Sequence, residues 1–316
     1  MKITVLDRES IGLDTPLDGL FTLGAVDIYD RTAPSEVYER IADSEVIIIN
    51  KVKITREVIE GAAKLRLICI FATGYDSIDV VAAREHGVAV CNVPGYSTSS
   101  VTAMTVATVL ALSTHLFEYS KFVSSGEYTG LGLPNRLTPV FHDLSGKVWG
   151  IIGCGDIGSN VAAVAEALGA RVITYQRHKH ARYDTVSLDA LCRESDIITV
   201  HCPLNDDSRG MINAEAISRM KDGVILVNSA RGAVFNERDV ANSVKSGKIG
   251  ALGCDVYSTE PFSSEHPYNE ILGLQNVIFT PHCAWASYEA RVRCIEIICN
   301  NIKSYFDGKT TNRVDI

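Results

Sequence analysis

The sequence predicts an α/β fold built from two doubly wound parallel sheets. Three observations lead there. Short β-branched runs alternate with helix-length amphipathic runs from end to end, the pattern of βαβ units. A Gly-x-Gly-x-x-Gly loop stands between one such strand and one such helix. And 316 residues is about two domains' worth at roughly 150 residues each.

The elements follow in order. Residues 2–6, 46–49, 67–71 and 88–91 are short apolar runs, as expected of strands covered on both faces. Strand patterns recur at 148–152, 171–175, 197–201, 224–228, 250–255 and 277–280. They form two groups, four before residue 95 and six after residue 147. A long helical pattern at about 99–125 separates the groups, and a second at about 288–306 follows the last strand. That terminal helix is free to cross back to the first group. The expected organisation is a discontinuous substrate domain, 1–98 plus 288–316, with a cofactor domain, 99–287, inserted in it. No internal repeat is evident, which excludes repeat architectures.

Composition narrows the function. Apolar residues make up 46% and charged residues 22%, a globular balance, and the net charge is −8. A chain without a basic block is a poor partner for nucleic acid or a membrane surface. Asp7, Arg8 and Glu9 interrupt the first apolar run too early for a signal-peptide core, and the apolar stretch 101–116 is shorter than the roughly 20 residues of a membrane span. A cytoplasmic location is expected. The nine cysteines include no Cys-x-x-Cys pair, and most sit in strand-like runs as small buried hydrophobes. His178 and His180 have no carboxylate or thiol beside them, so no metal site is expected.

The loop Gly153-Cys-Gly155-Asp156-Ile157-Gly158 sits between the strand at 148–152 and a helical stretch at 159–168. Within a βαβ unit this is the fingerprint of a Rossmann dinucleotide site. Gly153 allows the tight turn, Gly155 lets backbone approach a pyrophosphate, and Gly158 lets helix and strand pack closely. The phosphates then sit at the helix N-terminus. Asp156 is tolerable in such a loop only if its side chain points to solvent. The second strand ends in Tyr175-Gln176-Arg177-His178-Lys179, with no acid to hold a ribose 2′-hydroxyl. Gln176 does not repel a 2′-phosphate, and Arg177 can pair with one. NADP in preference to NAD is the expected cofactor; the alternative is that Arg177 and Lys179 are solvated and both cofactors are accepted.

Three polar residues follow three later strands: Arg231, Glu260 and His282. Ligands of doubly wound sheets bind beyond the carboxyl ends of the strands, so all three can face one crevice. A guanidinium holds a carboxylate and polarises a carbonyl. A His beside a Glu is oriented and stabilised as imidazolium, ready to donate a proton. Singly, each is an ordinary surface charge or turn residue.

With these residues placed, the sequence resembles the D-isomer-specific 2-hydroxyacid dehydrogenases. The likeness spans nearly the whole chain, through Asn-Ser-Ala-Arg231-Gly, Asp255-Val-Tyr-Ser-Thr-Glu260-Pro, Pro-His282-Cys-Ala-Trp285-Ala, Ala-Thr73-Gly74-Tyr75, Asn92-Val-Pro-Gly-Tyr-Ser-Thr and His201-Cys-Pro-Leu. Within the family it looks most like the glycerate dehydrogenases, or hydroxypyruvate reductases. The resemblance implies a Rossmann cofactor domain inserted in a flavodoxin-like substrate domain. It implies that Arg231 binds and polarises a 2-oxo acid, that His282 donates the proton and that Glu260 holds His282 protonated. It also implies that Asp255 lies near the nicotinamide, that Cys202, Pro203 and Ser208 line the adenosine side, and that Ser229, Ala230 and Ala284 bind the cofactor. The loop Thr73, Gly74, Tyr75 would meet the substrate carboxylate through backbone N–H groups. Trp285 either packs on the substrate or braces the domain junction.

Neighbouring activities separate by residue. Formate dehydrogenases of the family carry Gln where this chain has Glu260. Phosphoglycerate dehydrogenases place a base in the substrate loop, and residues 71–76 offer none. Phe71 and Tyr75 leave room for a small or moderately apolar group, so lactate-type and phenylpyruvate-type acids stay open. A dinucleotide-sensing corepressor would be expected to carry long flanking tails. The helix at 101–112 is too apolar for one wet face. In relatives it packs across a two-fold interface, which makes a homodimer the expectation and burial between domains the alternative.

Overall fold

A computed structural model describes all 316 residues. The chain divides into two compact units, Met1–Ser97 with Ala286–Ile316, and Thr98–Trp285. Each carries one wholly parallel sheet.

In the first unit the strands are β1 (Lys2–Val5), β2 (Ala25–Ile28), β3 (Val46–Ile49), β4 (Leu67–Ile70) and β5 (Ala89–Cys91). Their order is β2-β1-β3-β4-β5, all parallel, the flavodoxin-like arrangement. The central strands β3 and β4 are buried at every position. This is why they read as unbroken apolar runs. The helix Tyr288–Phe306 belongs to this unit, and Ala290, Cys294, Ile298 and Ile302 form its buried stripe at every fourth residue. Strand order reverses between β1 and β3, where a ligand crevice would open. Here it is filled from within. The Asp7 carboxylate, 6% exposed, accepts the N–H groups of Asn50, Lys51 and Val52.

The second unit holds β6 (Val148–Ile152), β7 (Arg171–Tyr175), β8 (Asp184–Thr185), β9 (Ile197–Val200), β10 (Val224–Asn228), β11 (Ile249–Cys254) and β12 (Val277–Phe279). The order is β12-β11-β10-β9-β6-β7-β8, again all parallel. The switch point falls between β6 and β9. The loops after β10, β11 and β12 leave from three consecutive strands. Sheet order thus brings together residues far apart in sequence.

Four expectations need correction. Two strands were not foreseen, β2 and β8, and both are sheet edges. β2 is mostly exposed and β8 has two residues, so neither carries a buried apolar run. The helical pattern at 99–125 is two helices, Thr98–Ser113 and Leu116–Ser124, bent by 65°. The break falls at His115, whose φ of 52° is left-handed. Just before it, the hydroxyls of Ser113 and Thr114 donate to the Leu110 carbonyl. The helix after the glycine loop is Asp156–Ala167, so Ile157 and Gly158 lie inside its first turn. Finally, Phe71 is fully buried in the core of its unit and lines no open site.

The apolar run at 101–112 is explained within the second unit. Val106, Val109 and Leu112 pack with Trp149, Ile151, Val161 and Ala162, between the sheet and the helix Asp156–Ala167. No single helix is long and apolar enough to cross a membrane.

Candidate active site

The dinucleotide cradle forms where β6 and β9 part. Gly153 has φ +87°, and a Cβ there would stand 2.6 Å from the backbone nitrogen of Cys202 on the facing loop. At Gly158 a Cβ would lie 2.2 Å from the Gly153 carbonyl. Neither position tolerates a side chain. At Gly155 nothing stands within 4 Å, which leaves the backbone open to a ligand. Gly155 is also the N-cap of the helix, and no side chain caps the helix start. Exposed N–H groups and the positive end of the helix dipole face that opening. Asp156 is exposed, as the loop requires. These residues fit a dinucleotide pyrophosphate.

Around the cradle the predicted residues divide by role. The Gln176 side-chain oxygen accepts from the Cys154 N–H at 3.2 Å, tying the end of β7 to the glycine loop. Arg177 is exposed and paired with Asp207 at 2.9 Å. Asp207 was not foreseen; an acidic pair, Asp206-Asp207, one residue past the Cys-Pro-Leu segment was the available signal. Pro203 is exposed and Cys202 half-buried, its thiol pushed up to about 11 by burial. Ser208 is different. It is 3% exposed, and its hydroxyl donates to Pro203 O at 2.7 Å and accepts from Asn205 N. It shapes the loop rather than facing outward. His180 is likewise committed, its Nδ1 accepting the N–H groups of Arg182 and Tyr183.

At the other end of the switch, His201 follows β9. Its Nδ1 lies 3.4 Å from the Ser229 hydroxyl, which in turn meets Thr105 at 2.9 Å. Its Nε2 is buried with no partner. Burial lowers its pKa to about 3, so the ring is neutral at physiological pH. Thr105, Asn228, Ser229, Asp255, Thr280 and Ala284 border one recess at the ends of β10, β11 and β12.

The three polar residues occupy the adjoining loops. The Asn228 side chain accepts from Ala230 N and donates to Arg231 O, an Asx-type turn that fixes the arginine's backbone. Arg231 Nη1 donates to the Ala230 carbonyl. Next to it, a Cβ at Gly232 would stand 1.9 Å from Tyr257 C, so the loops after β10 and β11 lie in direct backbone contact. Glu260 accepts the Tyr257 N–H at 3.0 Å through Oε1 and meets His282 Nδ1 at 2.6 Å through Oε2. That is the distance of a charge-assisted hydrogen bond.

His282 itself has φ 51°, a left-handed conformation uncommon outside glycine. The turn is held on both sides. Asp255 accepts the Thr280 hydroxyl and the N–H groups of Cys283 and Ala284. The Trp285 indole N–H donates to the His282 carbonyl at 2.9 Å. Asp255, placed by resemblance near the nicotinamide, is thus also the clamp of the His282 turn, and Trp285 is its brace.

Thr73, Gly74 and Tyr75 follow β4 in the first unit. There the Thr73 hydroxyl donates to Val93 O, and its carbonyl accepts from Asn92 Nδ2.

Comparisons with known proteins identify the family. Residues 106–284 match the family described as D-isomer specific 2-hydroxyacid dehydrogenase, NAD binding domain. The chain is 37% identical to the hydroxypyruvate reductase of Blautia hydrogenotrophica, over 100% of both chains. It is 33% identical to the glycerate dehydrogenase of Methylorubrum extorquens, over 99% of each. Among solved structures it resembles an acyclic imino acid reductase in complex with NADPH and D-Arg, with TM-score 0.89, 28% identity, and 99% and 100% of the two chains covered. A Rossmann cradle that fits a nicotinamide dinucleotide, with an Arg, Glu and His on three adjacent strand ends, completes the assignment: the chain belongs to the D-isomer-specific 2-hydroxyacid dehydrogenase family.

Proposed function

We propose that the protein reduces a small 2-oxo acid, of the hydroxypyruvate or glyoxylate type, to the D-2-hydroxy acid, with the proton delivered by His282. The observation that carries this reading is the 2.6 Å pair between Glu260 and His282. A carboxylate on Nδ1 directs the other ring nitrogen to the substrate and stabilises the imidazolium that a proton donor must be. A reduced nicotinamide, when bound, supplies the hydride to C2. Arg231 holds the acid and polarises its 2-oxo group. The relatives' names, hydroxypyruvate reductase and glycerate dehydrogenase, support a small hydroxylated acid. The test is NAD(P)H oxidation with hydroxypyruvate, glyoxylate, pyruvate and phenylpyruvate. Turnover fastest on the first two is expected; preference for phenylpyruvate would overturn the substrate class.

NADPH is the proposed preferred cofactor. Gln176 presents no charge against a 2′-phosphate, and Arg177 is held only by Asp207 in an exposed pair, 69% and 79% accessible. Such pairs contribute little, about 0–1 kcal/mol, so a phosphate displaces the carboxylate at small cost. A tenfold preference for NADH in kcat/KM (about 1.4 kcal/mol) would sink this reading.

A homodimer is proposed as well, on a different surface from the run at 101–112. Leu116, Phe117, Val123, Leu133, Leu137 and Val140 are all exposed within one stretch of the second unit. Clustered large apolar side chains on a surface mark interaction sites. A monomer by light scattering would overturn this. Nine free thiols suit a reducing compartment, in keeping with a cytoplasmic location.

A further inference from the structure

Behind the loop that carries Glu260 lies an acid and a base that the reaction does not touch. Glu237 and His266 are 8% and 9% exposed. Polar groups at such depth must be fully matched to be tolerated. Here they are. The Glu237 carboxylate accepts the Ser258 N–H at 2.8 Å through Oε1. Its Oε2 accepts the Ser258 hydroxyl and lies 2.9 Å from His266 Nε2. His266 Nδ1 accepts the Tyr268 N–H at 3.2 Å, which places the ring proton on Nε2, facing the carboxylate. The imidazole stacks on Phe262 at 4.7 Å and meets Tyr268 edge-on at 5.0 Å, so the ring cannot rotate away.

Ser258, the partner of Glu237, sits between Tyr257, whose N–H donates to Glu260, and Glu260 itself. The same peptide is pressed from the other side by Gly232, where a Cβ would stand 2.2 Å from Ser258 N. Ser258 is therefore gripped between the backbone next to Arg231 and the carboxylate of Glu237. A buried apolar pair of similar volume would serve stability as well or better. What the hydrogen-bonded pair adds is a fixed direction for the Ser258 N–H and hydroxyl, and so a fixed course for the two residues that lead to Glu260.

We propose that Glu237 and His266 are positioning residues for proton transfer: acting through Ser258, they set the Glu260 carboxylate on His282. The proposal rests on the reading of His282 as the proton donor. Glu260 is the charge that faces the His282 ring. Asp255, whose carboxylate holds the His282 turn from the loop after β11, is occupied by Thr280, Cys283 and Ala284.

The test is full-length Glu237→Gln beside the wild type, assayed with hydroxypyruvate and NADPH across pH. Gln keeps the shape but turns an N–H toward the His266 N–H, so the network cannot close. A displacement of Glu260 on the scale of 1 Å is expected to lower kcat by about 10- to 100-fold. The oxo-acid KM and the NADPH Kd should stay within about threefold, because neither Arg231 nor the glycine loop changes. The alkaline limb of kcat should move to lower pH by about half a unit or more, since a misplaced carboxylate holds the imidazolium less firmly. Ser258→Ala removes only the hydroxyl and serves if Glu237→Gln fails to fold; it should shift the limb the same way with a smaller fall in kcat. A fall in kcat that matches the loss of folded protein, with the limb unmoved, would show a merely structural role and overturn the proposal. So would wild-type kcat. A wild type inert toward every 2-oxo acid would instead overturn the functional reading on which this one rests.

Discussion

Gly232→Ala puts the geometry of the site under direct strain. The added Cβ would stand 1.9 Å from Tyr257 C, 2.4 Å from Tyr257 Cα and 2.2 Å from Ser258 N, all backbone atoms that cannot swing aside as a side chain would. Cβ contacts below 3.0 Å are essentially never seen, so the loops after β10 and β11 must separate. The separation required is about 1 Å or more in a close-packed interior. Those loops carry Arg231 and Glu260, and both are displaced from the reacting atoms by that amount. Misplacement of about 1 Å lowers turnover by something like 100-fold, while overpacking destabilises by about 1–3 kcal/mol. The assay is steady-state reduction of hydroxypyruvate with NADPH, with cofactor binding by fluorescence titration and Tm by calorimetry. The expected result is a kcat about 100-fold down, an NADPH Kd near wild type and a modestly lowered Tm. A kcat within about threefold of wild type, in a folded variant, would refute the claim that this backbone contact sets the site.

Other predictions are simpler. Arg231→Ala should chiefly raise the oxo-acid KM, with some loss of kcat, because it removes the group that holds the acid in ground and transition states alike. Equal KM values in variant and wild type would contradict that role. His201, neutral in the fold with a pKa of about 3, is protonated in the unfolded chain below its ordinary value of 6.5. Its contribution to stability is intact above pH 6.5 and declines as pH falls from there toward 3, by up to about 1.4 kcal/mol per pH unit. His201→Gln should flatten urea-melt stability between pH 6.5 and 5; an unchanged slope would contradict the burial argument. Arg177→Ala should lower kcat/KM for NADPH by about tenfold or more and leave NADH nearly untouched. Asp207→Asn should improve NADPH use slightly by freeing the guanidinium, and equal effects on both cofactors would count against a 2′-phosphate contact.

How legible the molecule was depended on what each residue does. Strands β3, β4, β6, β9 and β10 lie inside their sheets, so burial on both faces wrote itself into unbroken apolar runs. The edge strands β2 and β8 pair on one side only and carry no such signature. Gly153 and Gly158 were readable because backbone crowding admits nothing larger there. The bend at His115 was hidden, since Ser113 and Thr114 can sit in a helix and the choice is made by their hydroxyls turning back to Leu110 O. Ser208 and Trp285 show a different limit. Their types suggest ligand contact, and only the fold reveals that the hydroxyl of one and the indole N–H of the other also brace loops. Glu237 and His266 were beyond reach for a related reason: as lone charged residues they look like surface, and only tertiary packing makes them a buried pair.

The clamp that Asp255 forms on the His282 turn has a consequence for the proposed function. Three hydrogen bonds to one carboxylate offset the strain of a left-handed His282, so the proposed proton donor is presented by a turn that does not have to form when substrate arrives. Pre-organisation of this kind is what electrostatic and acid catalysis require of a rigid scaffold.

The most direct test of the account is the His282→Ala variant with hydroxypyruvate and NADPH, measured together with NADPH affinity. The expected result is a loss of kcat of about 100-fold or more with the cofactor Kd essentially unchanged, because the ring donates the proton and takes no part in the glycine cradle. Turnover close to that of the wild type would contradict His282 as the acid, and with it the mechanism built on the Glu260 pair.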